Sequence, residues 1–231
     1  MFNLFRKKVT IADSGIFRGM TDYHSHLLPG VDDGVKTLSE SLEILKEMER
    51  LGIAEVWLTP HIMEDIPNET ADLKKKFAET KTAYQATAGT IKLHLAAENM
   101  LDNLFEVRLA KNDLLPIEVD GKRYLLVETS YFNPPMDLHN TLKRIQQNAY
   151  YPLLAHPERY EYMNMEDYKE LKKANILFQL NIPSLAGMYG KEAQKKAEAL
   201  LKAEMYEFVG GDVHSKKYFQ CMVQSEIKKM K

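Results

Sequence analysis

Along this chain, short aliphatic and β-branched runs alternate with stretches whose apolar positions recur every three to four residues. The runs at 18–24, 54–60, 91–98, 123–129, 151–156, 176–181 and 206–212 read as strands. Leu38, Leu42, Leu45 and Met48 recur at helical spacing and predict a helix over 37–51. Thr37 and Glu40 fit a capping box at its start, and Gly52 fits its stop. Further helices are predicted over 69–88, 137–149, 165–175, 190–204 and 216–230, with Asn164 as the cap of the third. A short segment at 102–110 leads to a β-like piece near 115–119, and Asp120-Gly121 marks a turn before the strand at 123–129.

Alternating β and α elements with aliphatic strands imply a parallel sheet covered by helices. Seven βα units with no linker between them fit a small β/α barrel as one domain over 18–231, after an N-terminal extension over 1–17. An open, doubly wound sheet is the alternative architecture.

Composition narrows the function. The chain has 231 residues, 45% of them hydrophobic, which is enough for a full core. Its 31 basic and 33 acidic residues lack the net positive charge that marks nucleic-acid binding. One cysteine, Cys221, excludes an intramolecular disulfide framework and a four-cysteine zinc site. The start, MFNLFRKKVTIADSG, has no apolar h-region and no small-residue cleavage site. No stretch approaches the ~18–20 apolar residues of a membrane span. A soluble, cytoplasmic protein without membrane insertion is expected.

The histidines change the picture most. His24 and His26 follow the first strand, with Asp32 and Asp33 in the loop after it. His61 follows the second strand, Glu98 ends the third, Glu128 lies at the end of the fourth, and His156 ends the fifth. Asp212 and His214 follow the last. In a parallel barrel these strand ends open onto one face. Carboxylates crowded there repel one another, and buried charges need partners. Divalent cations meet both needs, and a mixed imidazole and carboxylate set suits manganese, iron or zinc. One metal takes four to six ligands, so the set implies two or three ions. Spacing alone leaves Asp32 and Asp33 as alternatives. His94, mid-strand, and His139, near a helix start, read as structural.

Arg159, in the segment His156-Pro157-Glu158-Arg159, sets a cation beside this cluster, and a guanidinium can grip a phosphate bidentately. Asn181 ends the sixth strand; it either orients a ligand or water or satisfies backbone groups. Thiol chemistry is excluded: a cysteine phosphatase needs an arginine six positions after its nucleophile, and Ile227 stands there after Cys221. There is no G-x-S-x-G, no Walker A and no G-x-G-x-x-G following a strand.

D-Y-H-S-H-L-L-P-G-V-D-D-G at 22–34, T-P-H at 59–61, A-A-E at 96–98, V-E-T-S at 127–130, A-H-P-E-R-Y at 155–160 and G-D-V-H at 211–214 resemble the PHP superfamily. Within it they are similar to the bacterial manganese-dependent protein tyrosine phosphatases linked to capsule and exopolysaccharide synthesis. The resemblance implies a distorted seven-stranded β/α barrel, related to the TIM barrel, with a trinuclear metal centre. Its implied ligands are His24, His26, Asp33, His61, Glu98, Glu128, His156, Asp212 and His214. It selects Asp33 over Asp32 and assigns Arg159 to the substrate phosphate. Many members carry an arginine shortly after the final histidine; here Ser215-Lys216-Lys217 follows His214, so Lys216 and Lys217 become the candidate substrate contacts.

The expected reaction is metal-dependent hydrolysis of phosphotyrosine in proteins, with metal-bound hydroxide attacking phosphorus in line. The implied partner is a polysaccharide-export tyrosine kinase. One alternative is a PHP-type phosphoesterase acting on a small metabolite such as histidinol phosphate. Glu128 disfavours it, because many metabolite-type members have histidine at that position. The other alternative is a non-enzymatic regulatory module with structural metals.

Overall fold

In the computed structural model, which describes residues 8–228, the apolar runs become strands that the helices enclose. The first half of the chain forms β1 (Lys8–Thr10), β2 (Thr21–Ser25), α1 (Leu38–Leu51), β3 (Glu55–Leu58), β4 (His61–Ile62), α2 (Thr70–Ala86), β5 (Lys92–Leu95), β6 (Glu98–Met100) and α3 (Asn103–Lys111). The second half forms β7 (Ile117–Val119), β8 (Lys122–Glu128), α4 (Leu138–Gln147), β9 (Tyr151–Ala155), α5 (Met165–Lys173) and β10 (Leu177–Asn181). It ends with α6 (Ile182–Leu185), α7 (Lys191–Lys202), β11 (Phe208–Gly210), α8 (Lys216–Gln224) and β12 (Glu226–Lys228).

The strand predicted at 91–98 is broken, and the one at 54–60 is followed by a short additional strand. Pro60, which has no N–H to give a ladder, separates β3 from β4, and Ala96-Ala97 separates β5 from β6. The pairing is parallel throughout the barrel: β2 with β3, β3 with β5, β4 with β6, then β6, β8, β9, β10 and β11 in turn. The circle closes between β11 and β2. Asp212 N donates to His24 O at 2.8 Å, and His26 N donates to Val213 O at 3.0 Å. This seam distinguishes the distorted barrel from an open sheet. It also requires Gly210, where a Cβ would lie 2.4 Å from the Cβ of His24.

The interior below the strand ends is apolar. Trp57, Leu126, Leu153, Ala155 and Phe208 are buried there, with the rings of Tyr23 and Tyr124 edge-on to Phe208 at 4.7 and 4.9 Å. Fully burying a large apolar side chain contributes ~1.5–3 kcal/mol, so this layer gives the polar mouth above it a rigid floor.

Several local expectations hold. Thr37 accepts from Glu40 N at 3.2 Å, and Gly52 ends α1 with φ 95°. The Glu40 side chain does not complete the box; it accepts from Lys216 N at 3.0 Å instead. The buried face of α1 is Ser41, Ile44, Leu45 and Met48, because Ser41 donates to Leu27 O at 2.7 Å while Leu38 stays exposed. Asn164 caps α5 in a full box with Asp167. β7 returns antiparallel on β8 through Asp120-Gly121, both with positive φ.

Other expectations differ. The last helix stops at Gln224, not 230, because Ser225 turns extended and Ile227 is buried from a strand. That strand, β12, pairs antiparallel with β1, which lies in the expected N-terminal extension. Ile11 and Phe17 of the same segment are buried in the main core, and residues 1–7 lie outside the described residues. Among the described residues, no helix is long and apolar enough to cross a membrane.

Candidate metal centre

β2 and the loop after it bring three candidate donors to the mouth, β11 and its loop two, and β4, β6, β8 and the end of β9 one each. Glu98 sits in the middle: its Oε2 lies 3.1 Å from His24 Nε2, 3.3 Å from His26 Nε2 and 3.1 Å from His61 Nδ1. Its Oε1 lies 3.0 Å from His156 Nε2. Glu128 Oε1 is 3.2 Å from His61 Nδ1. On the far side, Asp212 Oδ1 is 3.5 Å from His24 Nε2, and 3.4 Å from both His26 Nε2 and His214 Nδ1. Two of these residues bend the chain hard: His156 has φ 34° and Asp212 φ 51°. Left-handed backbone at a non-glycine residue costs of order 1–3 kcal/mol and clusters at functional sites.

The donors fall into four groups, each with its ligand atoms within 4.8 Å of one another: His26, Asp33, His61 and His214; His24, His156 and Asp212; His24, His26 and Glu98; His61, Glu98 and Glu128. Together they contain all nine residues expected from the sequence. His24, His26, His61 and Glu98 each belong to two groups, so the four groups overlap in one candidate site.

Hydrogen bonding fits cation binding. His61 Nδ1, Glu98 Oε2 and His156 Nδ1 are buried without a hydrogen-bond partner among the described residues. An unsatisfied buried polar atom costs ~1–3 kcal/mol, and a cation removes that cost for lone-pair donors. Three histidines have their other nitrogen already held. His24 Nδ1 meets Gln179 Oε1 at 2.8 Å, His26 Nδ1 meets Asp32 Oδ2 at 2.8 Å, and His214 Nδ1 meets Asp212 O at 2.9 Å. Protons on Nδ1 leave the Nε2 lone pairs free as ligands.

Asp32 and Asp33 divide two tasks. The Asp32 side chain is fully buried and accepts from Gly34 N at 2.9 Å and His61 N at 3.0 Å, besides His26. It is absent from the four groups; it orients the His26 ring and holds the backbone of His61. Asp33 Oδ1 lies 3.5 Å from His61 Nε2 and from His214 Nε2. Those histidines hold its carboxyl down to about 2.

The wider electrostatics follow from packing carboxylates against imidazoles. Burial opposes a charged His24, yet Glu98 and Asp212 outweigh it and push the group up to about 9. His26 is raised for the same reason. Burial would raise Glu98 and Asp212, but the neighbouring histidines hold both well below the usual carboxylate range. Asp22, behind the candidate ligands, is pushed up to about 6 by burial. Its Oδ1 accepts from His24 N at 3.1 Å and Gly211 N at 2.9 Å, which pins β2 to β11.

Arg159 stands at the edge of the centre. Its Nη1 donates to Asp212 Oδ2 at 2.8 Å. Its Cζ lies 4.4 Å from the ring centre of Tyr131 and 4.0 Å from that of Tyr189. Asn181 Nδ2 donates to the same Asp212 oxygen at 2.9 Å, while its Oδ1 is buried without a partner. The lysines are placed differently. The Lys216 ammonium is bound to Glu43 on α1 at 2.6 Å, and Lys217 is exposed on α8. His94 stacks on Trp57 at 4.6 Å and bonds Glu55 at 2.9 Å, away from the mouth.

Sequence reasoning missed Gln179, Tyr131 and Tyr189, and it missed Asp32 as an orienting group. Tyr131 and Tyr189 lie in loops after the C-terminal ends of β8 and β10, a position that gave some signal.

Fold and donor set together define a PHP-type β/α barrel with a candidate metal centre at the C-terminal ends of its strands. The family model described as capsular polysaccharide synthesis, CpsB/CapC, matches residues 20–230, and the chain belongs to that family. It is 29% identical over 203 residues to a putative tyrosine-protein phosphatase CapC of Staphylococcus aureus, covering 85% of this chain and 77% of the relative. It is 29% identical over 203 residues to the tyrosine-protein phosphatase YwqE of Bacillus subtilis, covering 86% and 78%. A crystal structure from a description of YwqE and of CpsB from Streptococcus pneumoniae as unique metal-dependent tyrosine phosphatases superposes with a TM-score of 0.78 at 27% identity, over 87% of this chain and 81% of the other. A putative histidinol phosphatase of Listeria monocytogenes shares the fold alone, with a TM-score of 0.52 at 12% identity.

Proposed function

We propose that this chain is a metal-dependent protein tyrosine phosphatase of capsular polysaccharide synthesis, using the nine-ligand centre to hydrolyse phosphotyrosine. The observation that carries the reading is the convergence of all nine donors in four overlapping groups, with Arg159 beside them. Family membership and the curated tyrosine phosphatase relatives support it.

His24, His26, Asp33, His61, Glu98, Glu128, His156, Asp212 and His214 would hold two or three divalent ions, manganese first, with iron or zinc as alternatives. Such ions supply Lewis acidity toward phosphoryl oxygens and make hydroxide available near neutral pH. The protein residues do the rest. Gln179, Asp32 and the Asp212 carbonyl fix the imidazole orientations. Arg159 offers the N–H groups not used on Asp212 to the phosphate. Asn181 holds the Asp212 carboxylate in place. The leaving phenolate, of ordinary pKa ~10, needs little proton donation, which suits a mouth without a dedicated acid. We assign the work to the cytoplasm, on a phosphotyrosine protein such as a polysaccharide-export tyrosine kinase.

The test is an assay of phosphotyrosine and phosphoserine peptides side by side, with manganese and after chelation. Turnover of phosphotyrosine that needs the metal is expected. Turnover that survives complete metal removal refutes the reading, and a strong preference for a small metabolite phosphate redirects it.

A further inference from the structure

The Arg159 side chain is held in an unusual way. Two rings flank it, with centres 4.4 Å (Tyr131) and 4.0 Å (Tyr189) from Cζ. Both ring centres thus lie within cation–π distance of the same guanidinium, and the two rings are not stacked on each other among the described residues. Both loops are pinned from elsewhere. Tyr131 O accepts from Glu161 N at 2.8 Å, and its ring lies 5.7 Å from His156 and 6.1 Å from Tyr160. The Tyr189 hydroxyl is bonded to Tyr218 and donates to Asp212 Oδ2 at 3.3 Å.

With two rings against it, the guanidinium meets a ligand through its free N–H groups. Nη1 is committed to Asp212, and the remaining N–H groups make no hydrogen bond among the described residues. A planar fork suits a phosphate when its plane is fixed, and stacking on rings fixes that plane without spending a hydrogen bond.

We propose that Tyr131 and Tyr189 form a two-ring clamp that positions Arg159 for the substrate phosphate; this rests on the phosphatase reading above. Tyr131 is the cleaner of the two to probe, because its hydroxyl makes no hydrogen bond among the described residues, so its ring can be tested by itself. The clamp acts through Arg159 and is a positioning device, not a reacting group.

The experiment measures KM and kcat for a phosphotyrosine peptide with the manganese-loaded full chain. Tyr131→Leu is expected to raise KM about three- to thirtyfold, the range for a partly desolvated cation–π contact. Bound metal should stay unchanged, and Tyr131→Phe should restore KM. In an Arg159→Ala background, Tyr131→Leu should cause no further loss. If Tyr131→Leu does not fold, Tyr131→Met keeps apolar volume without a ring and takes its place. An unchanged KM in the ringless variant, or an equal further loss without Arg159, overturns the clamp. Absence of metal-dependent phosphotyrosine turnover in the unmodified chain instead overturns the underlying reading.

Discussion

The adjacent carboxylates Asp32 and Asp33 give a sharp test of how the centre is built. Replacing Asp32 by alanine removes the acceptor of three hydrogen bonds, from His26 Nδ1, Gly34 N and His61 N. Each buried donor left unsatisfied costs ~1–3 kcal/mol, so three of them cost about 3–9 kcal/mol. At roughly 2–4 °C per kcal/mol for a chain of this size, the melting midpoint should fall by about 6–36 °C. Asp33→Ala should behave differently. The Asp33 side chain is 63% exposed, and its contacts with His61 and His214 are 3.5 Å long. Such screened pairs contribute about 0–1 kcal/mol, so the midpoint should move by about 4 °C or less. What Asp33→Ala should lose is metal, read as ions bound per chain by elemental analysis after dialysis against limiting manganese. Melting is measured in chelator, so that lost metal does not enter the comparison. Equal destabilisation by the two variants, or an unmoved midpoint for Asp32→Ala, would refute this division of roles.

Two further outcomes follow from the same geometry. In chelator, His24, pushed up to about 9, contributes stability that is present below its unfolded value of ~6.5 and is lost as pH rises through ~9. Urea midpoints of the metal-free protein should therefore fall from pH ~6.5 to ~9.5, and a flat or rising trend contradicts the shift. Gly210→Ala would set a Cβ 2.4 Å from His24 Cβ at the barrel seam. Overpacking there should cost ~1–3 kcal/mol and reduce bound metal, and a variant with normal melting and metal content would show that the seam is looser than described.

Much of this was legible in the chain itself. The strand runs and their turn residues predict the barrel because buried parallel strands leave long apolar signatures. His24, His26, His61, His156 and His214 are legible because polar residues at the ends of such strands are conspicuous. The helix starts at Thr37 and Asn164 are legible because caps act within one turn. Elements decided by distant partners were not. The end of the chain reads as helix until β12 meets β1 from the other terminus. The apolar stripe of α1 is shifted because Ser41 finds the Leu27 carbonyl.

The sequence by itself determined which chemical groups are available and that a parallel barrel would gather them at one end. Tertiary structure decided their roles. Asp32 and Asp33 are the same residue type one position apart, and only the fold turns one inward to orient the His26 ring and leaves the other among the candidate metal donors. Likewise Tyr131 and Tyr189 come from segments far apart in the chain, and only the side-by-side pairing of β8, β9 and β10 brings them onto Arg159. The physical reason is range: propensity, capping and periodicity act over a few residues, whereas orientation and stacking depend on atoms that approach only when the strands pair.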